Sequence, residues 1–375
     1  MIVLQNYEEN MNPQENHEKW MRRCIQLARG GEMGAAPNPM VGAVIVHRDR
    51  IIGEGFHICC GKAHAEVNAV KSVKEIDRPL LQESTIYVSL EPCAHYGRTP
   101  PCAELIIRTG IPRVVVGCVD PFSKVAGRGI QMLRDAGVEV IVGVLEQECQ
   151  ALNRRFIVSH AQDRPFITLK WAVSADGFIG RWREDDEDLS TTNTDNTPAV
   201  SECDEYGTAE NCELNHPTQC TTPCAPVALS SPHSSIRVHH QRATHDAILV
   251  GHTTLLSDRP SLTTRLWDGP SPLRVVLGSM AEGELPAGFE AFSDIDTLLV
   301  ALNQRGVQSL LVEGGCQTLQ SFIDRGLWDE AWRELSPVVL GSGVPGPRMP
   351  VGVSRSTMQR FGRTVEFWQN WNNDN

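Results

Sequence analysis

The chain has 375 residues, 41% hydrophobic and 21% charged, a globular composition spread over enough length to predict two domains. Its 34 Lys+Arg against 46 Asp+Glu give a formal net charge of -12, which gives no support to a general affinity for nucleic acid or an anionic membrane and favours a small-molecule partner. No run approaches the roughly 18 uninterrupted apolar residues of a spanning helix, and Met1 to Asn10 lack a basic segment followed by an apolar one. The expected location is therefore cytoplasmic, with the twelve cysteines present as thiols or metal ligands rather than disulfides.

Apolar runs at Val41–Ile45 and Ile86–Leu90 predict buried strands, His64–Lys74 and Cys102–Thr109 predict helices, and Val114–Val119 and Val138–Val144 predict further strands. This alternation implies an α/β domain with crossover connections, bounded as residues 17–150. A second α/β domain, residues 163–360, is expected to open after Asp163-Arg164-Pro165 with a strand at Phe166–Val173 and to continue through apolar runs at Ala247–Gly251, Leu273–Leu277 and Ser309–Val312. Between Glu184 and Pro226 stand eleven Asp+Glu and no Lys or Arg, so the rest of the chain is nearly neutral. Lacking apolar periodicity, segment 184–226 predicts a disordered acidic insert. Its Cys203, Cys212, Cys220 and Cys224 match no zinc motif. Trp368 to Asn375 read as a loose polar end.

His64-Ala65-Glu66 opens one predicted helix, and Pro92-Cys93 follows the strand ending at Leu90 and precedes Cys102, the head of another helix. One His and two Cys supply three ligands to a tetrahedral zinc and leave its fourth position for water, the arrangement of a catalytic site. Zinc lowers the pKa of such a water to about 7. Glu66, two residues from a ligand, is placed to take the proton and deliver it to a leaving amine. Cys24, Cys59, Cys60, Cys118, Cys149 and Cys316 are read as packing residues.

This constellation resembles the zinc-dependent nucleoside and nucleobase deaminases. Here eight residues separate the two cysteines, where the general signature has two. The long form, Pro92-Cys93-Ala94-His95-Tyr96-Gly97-Arg98-Thr99-Pro100-Pro101-Cys102, is similar to that of the deaminase of riboflavin biosynthesis. Pro37-Asn38-Pro39-Met40-Val41-Gly42 and the segment from Asp120 to Gly129 resemble that family's substrate-side loops. Arg98, Lys124 and Arg128 are candidate cations for the phosphate of its phosphoribosylaminopyrimidine substrate.

In bifunctional members of that family a reductase follows. The implied fold class is α/β throughout, a zinc-dependent cytidine-deaminase-like α/β/α domain followed by a dihydrofolate-reductase-like α/β domain. Leu169 to Gly177, Arg242 to Gly251, the series Thr254, Asp258, Pro260, Leu262 and Arg265, and the turn Val312-Glu313-Gly314-Gly315 resemble reductase segments. The resemblance implies NADPH binding at Ala172, Thr254, Asp258, Ser279 and Gly315-Cys316-Gln317-Thr318-Leu319-Gln320-Ser321. It implies substrate binding at Arg242, Leu262, Arg265 and Glu313. A strand entering a helix through Gly-Gly also offers bare N–H groups to a phosphate.

The implied activity is zinc-dependent removal of the pyrimidine 2-amino group, then NADPH-dependent reduction of the ribosyl group to ribityl. Three features depart from the pattern. The acidic insert interrupts the approach to the second site, Pro226-Val227-Ala228-Leu229-Ser230 replaces a usual Trp-containing segment, and Leu277 to Ser309 is short, with Gly278 where Asp is usual and room for one strand fewer. Two alternatives follow: a deaminase with a degenerate reductase domain, and a nucleic-acid-editing deaminase, against which the acidity and the long Cys-to-Cys loop weigh. A homo-oligomer is left open.

Overall fold

The computed structural model describes residues 13–96, 100–120, 126–181, 228–281 and 283–370. The acidic segment 184–226 with its four cysteines, together with Arg98 and Lys124, lies outside the described residues. Among those described, no helix is long and apolar enough to cross a membrane.

The first half comprises α1 (Pro13–Ala28), β1 (Gly42–His47), β2 (Arg50–Phe56), α2 (Ala65–Ser72), β3 (Thr85–Leu90), α3 (Cys102–Thr109), β4 (Arg113–Cys118), α4 (Arg128–Asp135), β5 (Glu139–Val142), α5 (Glu146–Leu152) and α6 (Arg154–Ala161). Its five strands form one sheet in the order β2-β1-β3-β4-β5. β1 is antiparallel to both neighbours, while β3, β4 and β5 run parallel. All six residues of β1 are buried because helices cover both faces and side chains alternate between them. Val44 and Val46 pack with Trp20, Met21 and Cys24 of α1, whereas Ala43 and Ile45 pack with Ala65 and Ala69 of α2 and Ile106 of α3. α2 lies so close to β2 that a Cβ on Gly53 would stand 2.5 Å from the Ala69 carbonyl oxygen and one on Gly55 2.5 Å from the Ala69 nitrogen. Glycine admits the helix there.

The second half comprises β6 (Phe166–Val173), β7 (Phe178–Gly180), α7 (Pro232–Ala243), β8 (Ala247–Gly251), α8 (His252–Asp258), β9 (Leu273–Leu277), β10 (Phe289–Phe292), α9 (Ile295–Gln304), β11 (Ser309–Val312), α10 (Cys316–Asp324), β12 (Glu330–Leu335), β13 (Val344–Pro345), β14 (Arg355–Arg360) and β15 (Arg363–Gln369). Eight strands form a sheet in the order β10-β9-β8-β11-β6-β12-β15-β14, parallel from β10 to β12 and closed by an antiparallel hairpin. Ile167, Leu169, Leu249, Leu310 and Val312 pack with Leu319 and Phe322 of α10 and with Trp328 in its main core. The short stretch between Leu277 and Ser309 accommodates both β10 and α9.

Two expectations are corrected. Trp368 is not in a loose end: it pairs in register with Ala331, is 4% exposed and stacks on Trp171 with ring centroids 6.0 Å apart, because its ring completes the core at the sheet's antiparallel end. Cys59 and Cys60 are exposed, whereas Cys24, Cys118 and Cys149 are buried. The exposed pair lies on the turn between β2 and α2, outside either core.

The first half docks on the amino edge of the second sheet. Arg154 Nη1 donates to Glu330 Oε1 at 3.0 Å and Gln308 Nε2 donates to the Pro37 carbonyl at 2.8 Å. A cavity of about 190 Å³ between the halves is lined by Asn38, Met40, Asn153, Arg155, Asp246 and Gln308, among others.

Candidate active sites

His64 stands immediately before α2, Cys93 lies in the loop after β3, and Cys102 opens α3. The fold brings these three to one point. Their ligand atoms lie within 4.8 Å of one another, with His64 Nδ1 3.3 Å from Cys102 Sγ and 3.6 Å from Cys93 Sγ. The Cys102 backbone N–H also donates to Cys93 Sγ at 3.3 Å. Hydrogen bonding from Cys102 and the nearby His64 hold the Cys93 thiol down at about 4, while the same bond to Cys93 and burial push Cys102 up. One nitrogen and two sulfurs so disposed fit zinc, which favours both thiolates together.

Glu66 is 3% exposed and sits in the first turn of α2. Burial, then the charge of Cys93, pushes its carboxyl up to about 7, a value suited to exchanging a proton at neutral pH.

Several supporting residues are absent from the sequence reading. Glu91, 4% exposed, accepts from the backbone N–H groups of Gly127 at 2.9 Å and Gly129 at 2.8 Å. It thereby ties the loop after β4 and the start of α4 to the strand end that carries Cys93. A Cβ on Gly129 would collide with the Pro92 carbonyl oxygen, so glycine allows that approach. His57 Nδ1 faces the Ala63 carbonyl at 3.1 Å and Nε2 faces Asn38 Nδ2 at 3.1 Å, while its ring meets that of His64 edge-on at 5.5 Å. An acidic residue directly before Pro-Cys at a strand end was the one available signal for Glu91.

The second group of expected residues gathers at the carboxyl edge of the parallel sheet, where open α/β sheets bind ligands. Ala172 is near the end of β6, Thr254 is in α8 just after β8, Ser279 follows β9, and Gly315 to Ser321 follow β11. Gly315 has φ +66°, and a Cβ there would stand 3.0 Å from Thr254 Oγ1. The Gly-Gly turn thus presses against Thr254 at the head of α10, where Gln317 is exposed, Cys316 half-buried and the Thr318 side chain buried.

Not every expected side chain faces a ligand. Leu319 and Leu262 are 0% and 1% exposed, so their side chains serve the core. Ser321 Oγ donates to the Gln317 carbonyl at 2.8 Å, and Gln320 Oε1 accepts from Arg348 N at 2.8 Å. Asp258 ends α8 and accepts from Ser257 Oγ at 3.3 Å. Arg242 is bound bidentately by Glu313, so its Nε/Nη2 edge is closed to a phosphate in this conformation. Arg265 has no ion pair among the described residues.

The riboflavin biosynthesis protein RibD of Bacillus amyloliquefaciens is 33% identical over 378 residues, covering 91% of this chain and 90% of that protein. The chain belongs to the RibD family. Residues 165–365 match the family described as the RibD C-terminal domain, and residues 14–118 match the cytidine and deoxycytidylate deaminase zinc-binding region. A diaminohydroxyphosphoribosylaminopyrimidine deaminase/5-amino-6-(5-phosphoribosylamino)uracil reductase from Thermotoga maritima superposes with a TM-score of 0.75 at 31% identity, covering 96% of this chain and 99% of that one. RibD from Acinetobacter baumannii superposes with the same TM-score of 0.75 at 28% identity, over 96% and 99% of the two chains. As a RibD protein, the chain is a bifunctional deaminase and reductase of riboflavin biosynthesis, with a zinc-binding deaminase domain preceding the reductase domain.

Proposed function

We propose that the domain spanning residues 17–150 deaminates 2,5-diamino-6-(5-phosphoribosylamino)pyrimidin-4-one and that the domain spanning 163–360 reduces the deaminated product's ribosyl group to ribityl with NADPH. His64, Cys93 and Cys102 would hold zinc. When bound, zinc supplies the Lewis acidity that makes water nucleophilic at neutral pH. Glu66 takes a proton from the attacking water and returns it to the departing nitrogen. Oxygen from water replaces the 2-amino group, which leaves as ammonia. The near-neutral carboxyl of Glu66 suits both transfers.

The reductase reading rests on the carboxyl-edge grouping of Ala172, Thr254, Ser279 and the head of α10. N–H groups at Gly315 to Thr318 would receive a dinucleotide phosphate and Arg265 the sugar phosphate, while Glu313 holds Arg242 beside them. NADPH bound there would supply the hydride which, with one proton, reduces the sugar carbon. What the protein contributes is close placement of the two reactants. The free cysteines among the described residues fit a reducing, cytoplasmic setting.

The observation that carries the proposal is the convergence of His64, Cys93 and Cys102 beside the buried Glu66. Metal analysis of Cys93→Ser tests it: zinc and deamination should be lost together, and a variant that retains one tightly bound zinc would show that the ligand set is wrong.

A further inference from the structure

The segment Pro37 to Met40, which resembles a substrate-side loop of the deaminase, is held in place from outside the deaminase domain. Asn38 of this segment touches the residue beside the metal cluster: its amide nitrogen lies 3.1 Å from His57 Nε2, and the His57 ring is edge-on to that of His64 at 5.5 Å. Two side chains fix this segment. Asn153, between α5 and α6, accepts from Met40 N at 2.7 Å and donates to the Met40 carbonyl at 2.9 Å. Gln308, from the reductase half, donates through Nε2 to the Pro37 carbonyl at 2.8 Å. That carbonyl belongs to the peptide unit joining Pro37 to Asn38, so its orientation sets where Asn38 begins.

Gln308 is suited to this task because it is itself fixed. It is 8% exposed, and its backbone N–H donates to Asp246 Oδ2 at 2.9 Å. The same carboxylate oxygen accepts from Ser309 N at 3.0 Å and Ser309 Oγ at 2.9 Å. Asp246 in turn stands at the head of β8, so two central strands of the reductase sheet anchor the residue that grips the deaminase segment.

We propose that Gln308 is a positioning residue for deamination, acting through Pro37 and Asn38, so that the reductase domain completes the deaminase's substrate site. This rests on the assignment of the deaminase centre to His64, Cys93 and Cys102. A group that fixes a substrate-facing segment acts mainly on productive binding, since small misplacements near a reacting centre are costly.

The test uses the full-length zinc enzyme. Gln308→Met keeps the length and removes the donor. It should lower kcat/KM for deamination by on the order of tenfold, mostly through KM. Zinc content and reduction of separately supplied deaminated intermediate should stay unchanged. Gln308→Lys, whose ammonium group can reach the Pro37 carbonyl, should recover most of the loss. Wild-type deamination kinetics in Gln308→Met, an equal loss of reduction, or no recovery with Lys would each overturn the proposal. Glu66→Gln serves as the control. If it abolishes deamination while Gln308→Met changes nothing, the positioning role alone fails; if it deaminates normally, the assignment of the centre fails as well.

Discussion

Arg242 and Glu313 form a bidentate ion pair at the second site, with Nε to Oε1 at 3.0 Å, Nη2 to Oε2 at 2.7 Å, and side chains only 12% and 8% exposed. Removing one partner strands a buried charge, whereas removing both does not. Arg242→Met should therefore destabilise the protein by about 3–5 kcal/mol, and Arg242→Met/Glu313→Gln should recover much of that. Chemical denaturation of the three proteins checks this, and equal stability of the single and double variants would contradict it.

Glu66→Gln should retain zinc, because its carboxylate is not among the three converging ligands, and should slow ammonia release by on the order of 10² or more. Metal analysis alongside turnover separates the proton role from a ligand role.

Gly315→Val places a β-branched side chain at φ +66° with its Cβ 3.0 Å from Thr254 Oγ1, where a branched residue is strained and would block the approach of a phosphate. Calorimetry should show NADPH affinity lowered by about tenfold or more. Deamination should be unaffected, because the altered turn lies at the carboxyl edge of the reductase sheet while the deaminase docks on the amino edge. The five residue steps from Gln308 to Glu313 alone span about 17 Å of extended chain.

His245 is 4% exposed, with Nδ1 2.6 Å from the Gln241 carbonyl and Nε2 3.0 Å from Thr168 Oγ1. Burial, and then the nearby Arg155, hold its pKa well below 6.5. The folded protein thus keeps this ring neutral, while the unfolded chain gains a proton as pH falls through about 6.5. The stabilising contribution is complete above that pH and declines below it, by up to about 1.4 kcal/mol per pH unit. The melting midpoint should fall from about pH 7 to pH 5, and His245→Gln should flatten that fall. An unchanged slope would contradict the assignment.

Legibility in the sequence followed the range of the forces involved. The apolar runs of β6, β8, β9 and β11 and the head of α3 at Cys102 were readable because burial on both faces, or a local motif, writes itself into consecutive residues. β2 was missed because Gly53 and Gly55, needed for the close approach of α2, break its apolar pattern. The β14–β15 hairpin was missed because only a few of its side chains, Trp368 among them, reach the core. Glu91 and Asn153 act through partners distant in sequence, and Gln308 meets Pro37 across 271 positions. No local pattern could have exposed that contact.

The most direct measurement follows both steps in wild type, Glu66→Gln and Gly315→Val, supplying the diaminopyrimidine substrate or its deaminated product with NADPH. Wild type should release ammonia and oxidise NADPH; Glu66→Gln should reduce supplied product but fail to deaminate; Gly315→Val should deaminate but fail to reduce at limiting NADPH. Near-normal deamination by Glu66→Gln, or a wild type that deaminates yet neither binds NADPH nor reduces the ribosyl product, would contradict the two-site assignment.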